Sequence, residues 1–90
     1  MTDDGRLYEE THLAAQADAL LRNVIFQGAI AAVREEYTKA WTASRPDDTA
    51  GREHAYIKLH VLNDIVTRLE ILIQTGALAK RQIDTQRLNS

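Results

Sequence analysis

The chain has no cysteine, a single proline and only four glycines. Without cysteine it can form neither disulfides nor thiolate zinc sites, and it cannot use a cysteine nucleophile. So few helix-breaking residues leave room for long helices, and the helix-favouring alanine, leucine, glutamate, arginine and glutamine are plentiful. No apolar run is long enough to span a bilayer, and the first residues lack the apolar core of a signal peptide. We therefore expect a cytoplasmic protein with no membrane contact.

The chain also lacks a strong net charge of either sign, since its formal net charge is only -2. A domain-wide electrostatic attraction to nucleic acid is therefore not expected. Apolar residues make up 44% of the chain and charged residues 27%, a balance typical of folded globular proteins. Ninety residues form at most one domain with a small core. We expect a single helical domain over 1–90 that gains stability from an oligomer or a partner.

The strongest pattern lies in the segment 52–75, where apolar residues recur at alternating spacings of four and three. They are Ala55, Leu59, Leu62, Val66, Leu69 and Ile73. This spacing predicts one apolar seam along an α-helix that packs lengthwise on another helix. Val61, Ile65 and Leu72, which we call the flank, lie beside the seam. The apolar sector is therefore wider than one partner helix covers, and we predict that the flank is an oligomer or partner interface.

The amino-terminal segment combines acidic residues with a glycine. Asp3, Asp4 and Gly5 disfavour an early helix, so residues 1–8 are predicted to form a mobile acidic lead. A first helix is expected over 9–22.

A second helix is predicted over 24–42. The apolar stripe changes phase near Asn23, and asparagine is a good N-cap, so we expect a break there. The alternative is one continuous helix over 9–41. Gly28 costs this helix about 1 kcal/mol relative to alanine, but with its neighbours it makes a small-residue surface that another helix could approach. Those neighbours are Ala29, Ala31 and Ala32.

A dense turn signal over 44–49 separates this helix from the next. Asp48 or Thr49 can cap the following helix, which is predicted over 50–75. Because the turn is short, the helices on either side should pack antiparallel. The predicted fold is therefore all-α: an antiparallel, coiled-coil-like helical hairpin with an additional amino-terminal helix.

The predicted long helix ends at Gly76, since glycine readily adopts the conformation that closes a helix. Residues 77–90 then form a basic tail. Lys80, Arg81 and Arg87 are candidates for contact with a phosphate backbone. Three positive charges are too few for strong binding by one chain, so we expect weak or no direct binding of nucleic acid unless an oligomer multiplies them.

The three histidines offer little chemistry. His60 has Asp64 four residues away on one helix face, and His54 has Lys58, but a zinc site needs three or four converging ligands. His12 lies among glutamates in the first helix. No phosphate loop, nucleophile elbow or paired-carboxylate motif is present. We therefore expect no enzymatic activity, no metal site and no cofactor.

Several short motifs punctuate the predicted helices. They are LLRN-x-x-F at 20–26, Trp41 before the acidic turn at 47–49, Gly-Arg-Glu at 51–53 and Thr-Gly-x-Leu-Ala at 75–79. In these motifs the chain resembles small helical proteins of tailed-phage and prophage morphogenesis modules. The helical hairpin also resembles the oligomerisation core of small terminase subunits, which form rings and present viral DNA to the packaging motor. We expect no amino-terminal DNA-binding domain of the terminase kind here.

Together these features predict a non-catalytic assembly or adaptor protein. The resemblance implies a homo-oligomer acting in phage head assembly or DNA packaging with other phage assembly proteins. It also implies a location in the host cytoplasm or in the virion. The alternative is a small helical inhibitor or regulator that docks one helical face on a host protein.

Overall fold

The computed structural model describes residues 2–89, with side chains from residue 4 to residue 89. This part of the chain forms three α-helices and no strand: α1 (Thr2–Arg22), α2 (Val24–Ala43) and α3 (Thr49–Asn89). With 41 residues, α3 is about 61 Å long. α1 and α2 follow one another along it, so the molecule is an antiparallel hairpin whose first arm consists of two helices. The expected all-α fold class is confirmed.

Asn23 alone separates α1 from α2. Its backbone is extended, with φ -66° and ψ 125°, and its side-chain Oδ1 accepts a hydrogen bond from the Phe26 N–H at 2.9 Å. This N-cap satisfies one of the free amide groups at the start of α2. The predicted break is confirmed, and a single continuous helix is excluded.

The turn between α2 and α3 is closed by Asp48 and by aromatic contacts. The Asp48 Oδ1 accepts a hydrogen bond from the Gly51 N–H at 3.0 Å, so Asp48 caps α3. Trp41 and Tyr56 meet edge to face with ring centroids 6.5 Å apart. The Arg52 guanidinium lies 5.1 Å from the centre of the Trp41 ring. These contacts join the end of α2 to the beginning of α3.

The predicted start of the first helix near Glu9 is wrong, because α1 begins at Thr2. Leu7, which was assigned to the acidic lead, is only 1% exposed and packs with Ala79 and Ile83 of α3. Burial of a leucine contributes about 1.5–3 kcal/mol, which outweighs the weak helix propensity of this segment. The acidic Asp4 also suits the positive end of the helix.

The predicted helix end at Gly76 is also wrong. α3 continues to Asn89, and no glycine within residues 2–89 has a positive φ. Gly76 is buried, and a Cβ atom placed there would collide with the Ala14 Cβ and lie 3.0 Å from the Glu10 carbonyl oxygen. Glycine is needed here because α1 approaches α3 closely, not because the helix ends. The predicted basic tail is therefore the last part of α3 over the described residues.

Candidate interaction surface

The two halves of the rod pack differently. In the half that contains α1, the helices lie close together, and the buried residues are Leu7, Ala17, Gly76, Ala79 and Ile83. In the other half, α2 has no buried residue. The predicted seam does face the first arm, since Ala55 and Leu62 are buried and its other members are half-buried. The α2 half is therefore an open two-helix layer.

The flank lies on this open layer. Val61 is 54% exposed, Ile65 is 49% exposed and Leu72 is 37% exposed. Val61 and Ile65 line a groove between α2 and α3, which we call the open groove. Its lining consists of Val33, Tyr37, Ile57, Lys58, Val61, Leu62 and Ile65. Within residues 4–89, no other segment covers this apolar surface.

Ile57 belongs to the same surface, although the sequence interpretation did not single it out. It is 52% exposed and precedes Val61 by one helical turn, as Val61 precedes Ile65. Its spacing of four residues was the signal that could have identified it. Val33 and Tyr37 line the groove because of the way α2 packs on α3. The spacing of residues along the sequence does not predict that packing.

α1 leaves most of the flank uncovered because of its position along α3. Gly76 and Ala79, which face α1, follow Leu72 at spacings of four and seven, so they lie on the same side of α3 as the flank. α1 therefore covers the carboxyl-terminal part of an apolar face whose earlier part, at Val61 and Ile65, stays open. The amino-terminal helix therefore covers little of the flank.

Val33 and Tyr37 line the open groove on α2, and small side chains lie next to them on the same side of that helix. Ala29 precedes Val33 by four residues and Ala40 follows it by seven, so all three lie on one side of α2. Ala29 and Ala40 are exposed. Another helix therefore has access to this side of α2.

A second shallow cleft opens on the other side of the hairpin, lined by residues that include Phe26, Ala31 and Val66. Across it, the Arg34 guanidinium donates a hydrogen bond of 3.1 Å to the Asn63 Oδ1. This hydrogen bond joins α2 to α3. Because Ala31 lines this second cleft, it lies on the opposite side of α2 from the open groove.

The candidate phosphate contacts lie at the far end of α3. Lys80 and Arg81 are exposed. Arg87 lines a small cleft with the acidic Asp4 and with Tyr8. The amino-terminal helix thus brings negative charge beside one of the three basic residues, which weakens the attraction of a single chain for a phosphate backbone.

The histidines are not brought together. The His60 ring packs against Tyr56, with centroids 4.6 Å apart, in the aromatic group beside the turn. Over the described residues there is no group of three or more His, Cys, Asp or Glu side chains that could hold a metal ion.

Comparison of the chain with protein-family models, curated proteins and solved structures finds no match. No helix within residues 2–89 is both long enough and apolar enough to cross a membrane. Function therefore has to be argued from the open groove and the shape of the molecule.

Proposed function

We propose that the protein is a non-catalytic assembly or adaptor protein that self-associates through the flank. The observation that carries this proposal is the amount of exposed surface. The chain exposes 7014 Å², whereas a compact monomer of its mass, 10.1 kDa, exposes about 5,300 Å². The excess of roughly 1,700 Å² is large compared with the ~800 Å² that each partner buries in a typical stable interface.

The position of the apolar residues supports the same proposal. Val61, Ile65 and Leu72 are about 37–54% exposed, so complete burial would add roughly half of the 1.5–3 kcal/mol that burying each whole side chain contributes. Domains of this size have a total stability of only about 5–15 kcal/mol. Covering the flank would therefore add a substantial fraction of the stability of the fold, and a second copy is the partner that is always present.

Light scattering on the purified protein tests the proposal. We expect a molar mass that is a multiple of 10.1 kDa at micromolar concentration. The double variant Ile65→Lys with Leu72→Lys should fall to the monomer mass with unchanged helical content by circular dichroism, because lysine can keep its charge in water on a monomer but not in an apolar interface.

Thr67→Lys with Gln74→Lys is the matched control, since both positions are exposed, have the same spacing and lie away from the flank. It should keep the wild-type mass. A wild-type mass near that of one chain throughout the micromolar range would contradict self-association. That result would favour the alternative, a helical inhibitor or regulator that docks the flank on a host protein.

The proposed setting, phage head assembly or DNA packaging, is supported by the motif resemblance at 20–26, 47–49 and 75–79. Assembly would bring several copies of Lys80 and Arg81 together, and phosphate binding rises steeply with the number of cationic contacts. Genes for portal, capsid and large terminase proteins beside the gene of this protein would support the setting. A neighbourhood without any virion gene would contradict it.

A further inference from the structure

Large side chains of α3 border the open groove, whereas the exposed side of α2 next to Val33 and Tyr37 carries alanines, and this asymmetry indicates how two copies meet. Ile57, Val61 and Ile65 form a ridge on α3. Ala29 and Ala40 lie on the facing side of α2, together with Val33. Resting on the proposed self-association, we infer that the α3 ridge of each copy packs on the small-residue side of α2 in the other copy. The two-fold axis then runs along the rod.

Shape complementarity favours this arrangement. Helix interfaces pack densely when large side chains on one helix face small ones on the other. If α3 instead packed on α3, the ridge of one copy would meet the same ridge of the other copy. The alanines of the two α2 helices would then face each other across a gap. When α3 packs on α2, the ridge of one copy fills the space beside the alanines of the other. A two-fold axis repeats the same contact on the other side.

Charge also favours the pairing of α3 with α2. Lys58 lines the open groove, and its Nζ lies 5.1 Å from the centre of the Tyr37 ring. Glu36 is adjacent to Tyr37 in the chain, is exposed, and follows Ala29 by seven residues on the same side of α2. Lys58 of one copy therefore lies at the level of Glu36 of the other, so opposite charges meet across the interface.

The result is a four-helix bundle built from both α2 helices and the first halves of both α3 helices. Four helices can enclose an apolar core that a two-helix layer leaves open. The α1 halves, which are already closely packed, extend from the same end of this bundle. The dimer therefore brings the two copies of Lys80 and Arg81 to one end of the molecule.

Two neighbouring alanines give the first test. Ala29 and Ala31 are both exposed on α2, but Ala31 lines the cleft on the opposite side of the hairpin. Ala29→Lys should raise the dimer dissociation constant by at least about tenfold, which corresponds to 1.4 kcal/mol. Ala31→Lys should leave it within about twofold of wild type. Equal effects of the two variants, or an effect of Ala31→Lys alone, would overturn the arrangement.

Disulfide trapping gives the second test, and the absence of native cysteine makes it clean. An Ala29→Cys variant is mixed with an Ile65→Cys variant and mildly oxidised. In the inferred bundle these positions face each other, and a disulfide forms readily only when the Cα atoms are within about 7 Å. We expect a mixed disulfide dimer, and none when Gln74→Cys replaces Ile65→Cys.

Different results would contradict the proposed self-association and the inferred α3-on-α2 arrangement. A wild type that is dimeric by light scattering, together with no mixed disulfide between the two cysteine variants, would overturn the α3-on-α2 arrangement and leave self-association standing. A wild-type monomer would overturn both. A wild-type mass of twice 10.1 kDa, together with a mixed disulfide between the Ala29→Cys and Ile65→Cys variants, would support both.

Discussion

Two glycines within helices have opposite roles at the scale of single residues. Gly28 lies in α2 with open space where a Cβ atom would be. Gly76 lies in α3, and a Cβ atom there would collide with Ala14 of α1. Both glycines carry the same intrinsic cost of about 1 kcal/mol relative to alanine in a helix. Only the neighbouring helix distinguishes a replaceable glycine from a required one.

We expect Gly76→Ala to destabilise the protein and Gly28→Ala to stabilise it. At Gly76 the gain in helix propensity is opposed by an overpacking cost of about 1–3 kcal/mol, because Ala14 and the α1 backbone cannot move aside cheaply. At Gly28 nothing opposes a gain of up to about 1 kcal/mol. Urea unfolding of both variants measures the difference. A Gly76→Ala protein more stable than wild type would show that α1 does not approach α3 as closely as described.

At the scale of the element, adjacent residues of α3 lie in different environments, one in the core and the next on the surface. Leu62 is 7% exposed in the seam, whereas Val61 is 54% exposed on the flank. Leu62→Asp should unfold the chain, because an unpaired buried charge costs several kcal/mol, comparable to the stability of a small domain. Val61→Asp should keep its helical content and lose self-association. Thermal melts by circular dichroism check the first expectation, and light scattering checks the second. A Leu62→Asp variant that melts within a few degrees of wild type would contradict the seam as the core.

Local signals predicted the parts of the fold that local interactions determine. The Asn23 cap, the turn capped by Asp48 and the seam on α3 all depend on residues a few positions apart, and each was predictable from the sequence. The flank was also found from spacing, and its interface role stays a prediction. The start of α1 and the continuation of α3 through Gly76 depend on a contact between the two ends of the chain. Glycine and acidic residues give the same local signal with or without that contact, so the sequence interpretation placed both boundaries wrongly.

The whole molecule is a rod rather than a globule. Its extents are 65 × 25 × 17 Å, and its radius of gyration is 19.1 Å, whereas a compact chain of this length has about 12 Å. The rod has a closed half, where α1 and α3 bury Leu7 and Ile83, and an open half at the groove. In the proposed dimer, the open half would form the interface and the closed half would keep its own packing.

The contact of Leu7 with Ile83 joins the two ends of the chain, and we expect it to form late in folding. α2 and α3 are joined by a short turn, so they can pair from the turn outward at little loop-closure cost. α1 meets α3 only across nearly the whole length of the chain, and such non-local contacts form slowly. We therefore expect α1 to dock last, after a hairpin intermediate has formed. Pulse-labelling hydrogen exchange should show amides of α3 near Leu62 protected before those of α1 near Ala14, and simultaneous protection would contradict this order.

Before α1 docks, the α3 face at Ala79 is open, so α1 of another refolding chain can dock there with Asn23 as the hinge. Refolding at high protein concentration should consequently produce domain-swapped oligomers that dilution resolves slowly.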